Sequence, residues 1–466
     1  MKRTSQDARP PLKRPGLALA AALAFASASA VAAPPGPLID EATVAKLQTV
    51  LCLPRPLALA ASWDRELVEQ AYADLGAALA SRHWPSVQAP ELDVLRDARR
   101  GQAANTFGED PYLTGELGIA AVRGLQAPRG GKPQVEAVVG HFAGPELPPA
   151  NSDLGPMPVS PREFREVFAA PFEAVLAQAH PAGVLLSDNE IDGLPSSANA
   201  ALVRMLRQDW HYTGAVLASP QGLRGLVETF HVAATPAEAL ALAQRAGIDG
   251  APAGVAAAFD GDTPARSAQR AAREGIVLLK NDGTLPLKPD AKTPVLRLAD
   301  TSVATLAHVD VPNSPFVLVL SGPLPVPSEA LTKLVERASA VLAGFDLGRF
   351  GRAALDDALA GRSNPGGKLP VSLARNPGQL PMFYNVKPTA WRGYLFDTTK
   401  ALFPFGWGLS YTRFELGAPQ LAATSVRVGE TATVRVALHN RGARAGSEVV
   451  QLYLRHATSS TTEPVK

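Results

Sequence analysis

Residues 183–222 read GVLLSDNEIDGLPSSANAALVRMLRQDWHYTGAVLASPQG. Two short apolar runs, GVLL at 183–186 and GAVLAS at 214–219, flank NAALVRMLRQDW at 199–210, which has apolar residues at helical spacing. A strand, a helix and a second strand in that order make a parallel pair joined by a crossover. Each apolar run ends on a polar side chain, Asp188 after the first and Ser219 after the second. In a parallel barrel such positions face the end where sites are built. Ser219 is followed at once by Pro220, which has no backbone N–H.

The same alternation extends in both directions. DRELVEQAYADLGAALASR (64–82) has a helical apolar stripe, and VEAVVGHF (135–142) is a short apolar run ending at a polar turn. SPREFREVFAAPFEAVLAQA (160–179) predicts a helix with Ser160 as N-cap, Pro161 at the first position and Glu163 closing a capping box. A second unit starts near Pro264. ARSAQRAAREGIVLLKNDGTLPL predicts a helix running into an extended segment with an Asn281-Asp282-Gly283 turn, FVLVLSG a strand, and SEALTKLVERASAVLAGF a helix. From Leu416 the pattern becomes alternating, and TATVRVALHN and SEVVQLYLRH predict antiparallel strands of a small sandwich.

The expected fold class is therefore α/β. Residues 40–263 are expected to form parallel strands with helical crossovers, as either a barrel or an open sheet, 264–415 a second unit, and 416–466 the beginning of a small β-sandwich. Residues 1–32 read as a signal peptide: a basic leader, then GLALAAALAFASASAVAA ending in the small-x-small Ala30-Val31-Ala32. Export to the periplasm or beyond follows as the expected location. The formal charge of +2 becomes −2 once the +4 leader is removed, so no nucleic-acid or membrane-surface partner is implied, and no later segment predicts a membrane span. One cysteine, Cys52, excludes an internal disulfide and a cysteine-built metal site.

NTFGEDPYLTGELGIAAVRGLQ, GHFAG, SPREFREVFAAPFEAVL, NEIDGLPSSAN, AAREGIVLLKNDGTLPL, NPGGKLPVSLARNPGQLP and LFPFGWGLSYTRFELG occur in one order along the chain. In that order they resemble glycoside hydrolase family 3, most of all its bacterial β-glucosidases and β-xylosidases. The resemblance implies an incomplete TIM-like barrel, a shortened α/β sandwich and a partial fibronectin type III-like domain. It also implies retaining hydrolysis of a β-linked oligosaccharide or aryl glycoside, without a cofactor. That chemistry uses two carboxyl groups about 5–5.5 Å apart, one attacking the anomeric carbon and one protonating the leaving oxygen.

Transferred residue by residue, the resemblance loses its chemistry. The family's Ser-Asp at the nucleophile strand is Ala218-Ser219 here, and its Lys-His pair is Gly140-His141. Its RDPRWGR is Arg96-Asp97-Ala98-Arg99-Arg100-Gly101-Gln102, so the last sugar-contacting arginine is Gln102. The barrel-opening section with its acidic sugar ligand is missing. The interval that should carry the acid/base glutamate, DAKTPVLRLADTSVATLAHVDVPNSP, holds three aspartates and no glutamate.

What remains is a short set of candidates. Asp188 is the substitute carboxylate, or else a solvated turn residue. His141 is a retained pocket residue rather than a metal ligand, because no ligand partner stands at suitable sequence spacing. His141, Gln102 and Asp188 are the expected saccharide contacts, and no intact catalytic pair and no metal site are expected. Glu190 and Asp192 fix a loop, and Glu109-Asp110 accept backbone N–H groups around a turn. Trp391, Tyr394, Trp407 and Tyr411 stack on sugar or pack in the core. Three functions stay open: a catalytically impaired relative, an active exo-β-glycosidase using substitute carboxylates, and a non-enzymatic envelope module binding saccharide or protein through its C-terminal strands. A barrel without its opening strands predicts unpaired sheet edges.

Overall fold

The computed structural model describes residues 36–464 apart from 100, 143, 145–153, 253, 260–262, 388–396 and 428. The signal-peptide segment, Trp391 and Tyr394 lie outside the described residues.

The first unit is a parallel sheet wrapped by helices. Its strands are β1 (Leu38–Ile39), β2 (Ser86–Glu91), β3 (Glu136–Phe142), β4 (Gly183–Leu186), β5 (Ala215–Leu217) and β6 (Gly254–Val255), in spatial order β6-β1-β2-β3-β4-β5. The helices that carry the crossovers are α1 (Glu41–Val50), α2 (Arg65–Ala80), α3 (Pro111–Leu125), α4 (Ala170–Ala179), α5 (Ala200–Arg204), α6 (Pro220–Glu228) and α7 (Pro236–Ala246). Their starts follow the side chains beside them: Asp40, Asp64, Asp110, Asn199, Ser219 and Thr235 each accept an N–H from the first turn of α1, α2, α3, α5, α6 and α7. The helix predicted from Ser160 starts with the expected Ser160 cap, passes through a π-turn at Phe164–Phe168 and continues as α4.

Six parallel strands fall short of an eight-stranded barrel, yet the edges meet. Gly250 pairs in parallel with Leu217 of β5, and four residues on Gly254 and Val255 pair with Leu38 and Ile39. The unpaired edges expected from the missing opening section are therefore covered by the chain's own return. Inside, strand and helix residues share one core in which Phe142 is fully buried, edge-on to Phe164, Phe172 and Trp210.

The second unit has a four-stranded sheet of β7 (Val277–Asn281), β8 (Val295–Leu298), β9 (Val317–Leu320) and β10 (Ala340–Ala343), ordered β7-β10-β9-β8 with only β7 antiparallel. Helices α8 (Ala268–Glu274), α9 (Glu329–Arg337) and α10 (Gly351–Leu359) accompany it. SEALTKLVERASAVLAGF is not one helix. α9 ends at Arg337, and AVLA is a buried strand between two neighbours. A fully buried four-residue strand is apolar throughout, so periodicity cannot separate it from the helix before it.

The C-terminal residues form two two-stranded antiparallel pairs, β11 (Phe414–Leu416) with β14 (Leu438–Asn440) and β12 (Gln420–Leu421) with β13 (Val434–Arg435). SEVVQLYLRH forms no strand, contrary to its alternation, and leaves Val450, Leu452 and Leu454 exposed. Alternation gives a strand one apolar face, but the ladder still needs a neighbour to pair with.

The two larger units are tied through TFGEDP. The Glu109 carboxylate accepts the Ser372 N–H (2.6 Å), the Ser372 hydroxyl (2.8 Å) and the Tyr384 N–H (2.9 Å), and Asp110 accepts the Tyr384 hydroxyl (2.7 Å). Gly108 sits at φ +113°, where a Cβ would lie 2.2 Å from the Pro370 carbonyl oxygen. Only glycine fits this approach.

Candidate active site

Parallel strands put the residues after them on one rim, and this chain places acidic and polar groups there. Asp40 and Glu41 follow β1, Glu91 ends β2, His141 lies one residue before the end of β3, Asp188 follows β4 and Ser219 follows β5.

His141 is the centre of the better-formed half. Its backbone N–H and Nδ1 both meet Asp93, at 3.2 and 3.0 Å, and the Asp93 side chain is fully buried. Its Nε2 lies 3.1 Å from the Gln88 amide nitrogen and 3.4 Å from a Glu41 oxygen. Burial disfavours the imidazolium, but the charges of Asp93, Glu41 and Glu91 and the Asp93 hydrogen bond outweigh it and push the ring up to about 10. One oxygen each of Glu41 and Glu91 and a ring nitrogen of His141 all lie within 4.8 Å of one another. His141 therefore has two carboxylate neighbours in space that its sequence spacing does not reveal. Sequence spacing is blind to three adjacent strands that converge at one rim.

Ser219 and Asp188 form the other half. Ser219 is the N-cap of α6: its Oγ accepts the Gly222 N–H at 2.8 Å and donates to Asp188 Oδ1 at 2.5 Å. Pro220 occupies the first helical position, where a missing N–H costs nothing. The Ser-Pro pair is thus a helix start. The group that accepts the serine hydroxyl's hydrogen bond is the Asp188 carboxylate.

The other candidates disperse. Gln102 stands before a short 3-10 turn, Ala103–Asn105, and its buried Oε1 has no hydrogen-bond partner among the described residues. Glu190 pairs with Pro195 in a small hairpin, and Asp192 takes the left-handed turn position at φ +53°. Glu109 is fully occupied by the interdomain tie. Burial pushes it up to about 7, against its hydrogen bonds and Arg96. Trp407 donates to the Leu279 carbonyl and Tyr411 to that of Ala358, so both serve packing. In the interval expected to carry the acid/base residue, Asp290 and Asp310 are exposed and Asp300 holds the turn at Ser302.

Sequence reasoning missed Gln88, Glu91 and Asp93, although SVQAPELDV has the form of a strand end with acids behind it. It also missed Glu41, because a two-residue strand leaves no pattern to read. A cleft of about 960 Å³ lies elsewhere, between α2, α3, α8 and the segments around Asn364 and Glu448. It touches none of the rim residues, and Arg65, Arg270 and Arg273 on its walls are already ion-paired.

A parallel barrel-type sheet with its polar groups on the C-terminal rim, joined to a smaller α/β unit, is a plan that many hydrolases share. The sequence of the first unit matches the glycosyl hydrolase family 3 N-terminal domain over residues 40–251, and that of the second matches the family 3 C-terminal domain over 293–411. The chain belongs to glycosyl hydrolase family 3. It is similar to a beta-xylosidase of Formosa agariphila, 25% identical with 89% of this chain and 79% of that protein covered. That alignment runs over 576 positions, more than the 466 residues present, so the relative carries stretches that this chain lacks. A thermostable beta-glucosidase B of Acetivibrio thermocellus is 27% identical over 89% of this chain and 71% of its own. Among solved structures, a β-glucosidase of Erythrobacter marinus superposes with a TM-score of 0.76 at 26% identity, covering 88% of this chain and 77% of that one.

Proposed function

We propose that this protein is an exported family 3 relative of β-glucosidases and β-xylosidases whose barrel rim faces β-linked saccharide without cleaving it by double displacement. The observation that carries this reading is that Ser219 is engaged as a helix cap, and by the resemblance of the surrounding motifs we read it as standing where the family has its attacking carboxylate.

Chemistry makes the substitution severe. A carboxylate attacking the anomeric carbon forms a glycosyl ester, which water then hydrolyses. A serine hydroxyl in that place would form an ordinary O-glycoside, as hard to break as the substrate. Its hydrogen-bond partner, Asp188, is a carboxylate, a weak base for taking up a hydroxyl proton. Each lost carboxylate removes several kcal/mol of transition-state stabilisation.

A second reading has its own observation. The Glu41 and Glu91 oxygens lie within 4.8 Å, close to the separation of a retaining pair, and Asp188 stands on the same rim. Under that reading the wild type releases p-nitrophenol from an aryl β-glucoside or β-xyloside, and Glu91→Gln or Asp188→Ala abolishes release. The first reading expects no release above a blank from the wild type, and wild-type turnover would overturn it.

A further inference from the structure

The rim holds a set of groups that the glycosidase chemistry does not use together. Glu41 opens α1, Glu91 closes β2 and His141 lies at the end of β3, and β1, β2 and β3 are neighbours in the sheet. We propose that Glu41, Glu91 and His141 form a binding site for a divalent first-row transition ion, of which Zn²⁺ is the best fit.

Three features carry it. First, the distance between His141 Nε2 and Glu41 Oε2 is 3.4 Å. That is too long for a charge-assisted hydrogen bond, which runs at about 2.7–2.9 Å. It matches the edge of a tetrahedral site, where two ligands about 2.0–2.1 Å from the ion stand about 3.4 Å apart. Second, His141 is oriented from behind. The buried Asp93 carboxylate takes Nδ1 at 3.0 Å, which leaves Nε2 facing Glu41. A carboxylate behind a histidine, fixing its tautomer and ring plane, is the arrangement that metal-bound imidazoles have. Third, the ligands sit on three adjacent elements of a packed barrel rather than on one loop, so the site is preorganised.

One imidazole nitrogen with carboxylate oxygens favours Zn²⁺ or Mn²⁺ over the all-oxygen preferences of Mg²⁺ and Ca²⁺. The Gln88 amide nitrogen lies 3.1 Å from His141 Nε2 and 3.5 Å from Glu41 Oε2, so on ion binding the amide would turn over and offer its oxygen as the fourth ligand. The site goes beyond the saccharide reading and does not depend on it. With an ion bound, Glu41 and Glu91 would not be available as an acid pair.

The test is isothermal titration of ZnCl₂ into chelator-treated full-length protein, with MgCl₂ as the comparison. One Zn²⁺ per chain is expected. Glu41→Gln and Glu91→Gln should each weaken binding by at least about 10-fold, and Asp93→Asn by about 10- to 100-fold through loss of the orienting bond. Circular dichroism melts of the metal-free variants establish folding. Glu41, half-exposed in the first turn of a helix, gives the variant least able to disturb the core. His456 with Glu463 is an exposed histidine–carboxylate pair elsewhere, and His456→Ala should leave the titration unchanged. No saturable binding by the wild type would overturn the proposal. So would binding that survives in both glutamine variants, or binding that vanishes in His456→Ala.

Discussion

Replacing Glu109 by glutamine should change how the protein's stability responds to pH. Glu109 is 2% exposed, and burial raises its carboxyl from 4.5 to about 7 despite three hydrogen bonds and the opposing charge of Arg96. Because the native state holds this proton more tightly than the unfolded chain does, deprotonation is harder in the folded protein. The contribution of Glu109 to stability therefore falls as pH rises from 4.5 to about 7, and the loss is complete above that. Integrating between pH 5 and pH 8 gives about 2–3 kcal/mol. Urea unfolding of wild type and Glu109→Gln at pH 5, 6, 7 and 8 measures it. The wild type should lose about 2–3 kcal/mol relative to the variant over that range, because Arg96, Asp110 and Tyr384, which lie around the same carboxyl, are present in both. Parallel pH profiles for the two proteins would refute the reasoning, since a carboxyl with an ordinary native pKa leaves no such difference.

Two further perturbations test the scaffold. Gly108→Ala should lower stability by more than about 2 kcal/mol in urea, because its φ of +113° and the Pro370 carbonyl at 2.2 Å leave no room for a Cβ. Ser219→Ala should cost about 1 kcal/mol by removing the cap of α6, measured by the same unfolding curve. It should leave glycoside hydrolysis where the wild type has it, whereas a direct chemical role for Ser219 would make the variant differ.

The order of strand and helix was legible mainly from apolar spacing and, at some helices, from a start signal; α8 and α10 begin without a side-chain cap. Ser160 caps where the sequence puts it, and the structure adds Asp64 and Asp110 as caps of α2 and α3. AVLA at 340–343 was not legible, since an apolar run buried on every side has no period of its own. SEVVQLYLRH shows the opposite failure, a strand pattern with no paired neighbour in the structure. The rim was half legible: His141, Asp188 and Ser219 follow runs long enough to recognise as strands. Glu41 follows one of two residues, and the contact of Glu41 and Glu91 with His141 depends on which strands lie side by side. Ser219 was placed correctly at a strand end, but its partnership with Asp188 crosses 31 residues and belongs to tertiary structure alone.

The most direct test of the central claim is an aryl β-glucoside and aryl β-xyloside assay of wild type beside Ser219→Asp. The wild type should give no p-nitrophenol above the blank. Activity in Ser219→Asp alone would show a rim that lacks only its attacking carboxylate, and silence in both would show a further deficit beyond position 219. Turnover by the wild type, abolished in Glu91→Gln or Asp188→Ala, would contradict the claim that this rim has no working pair.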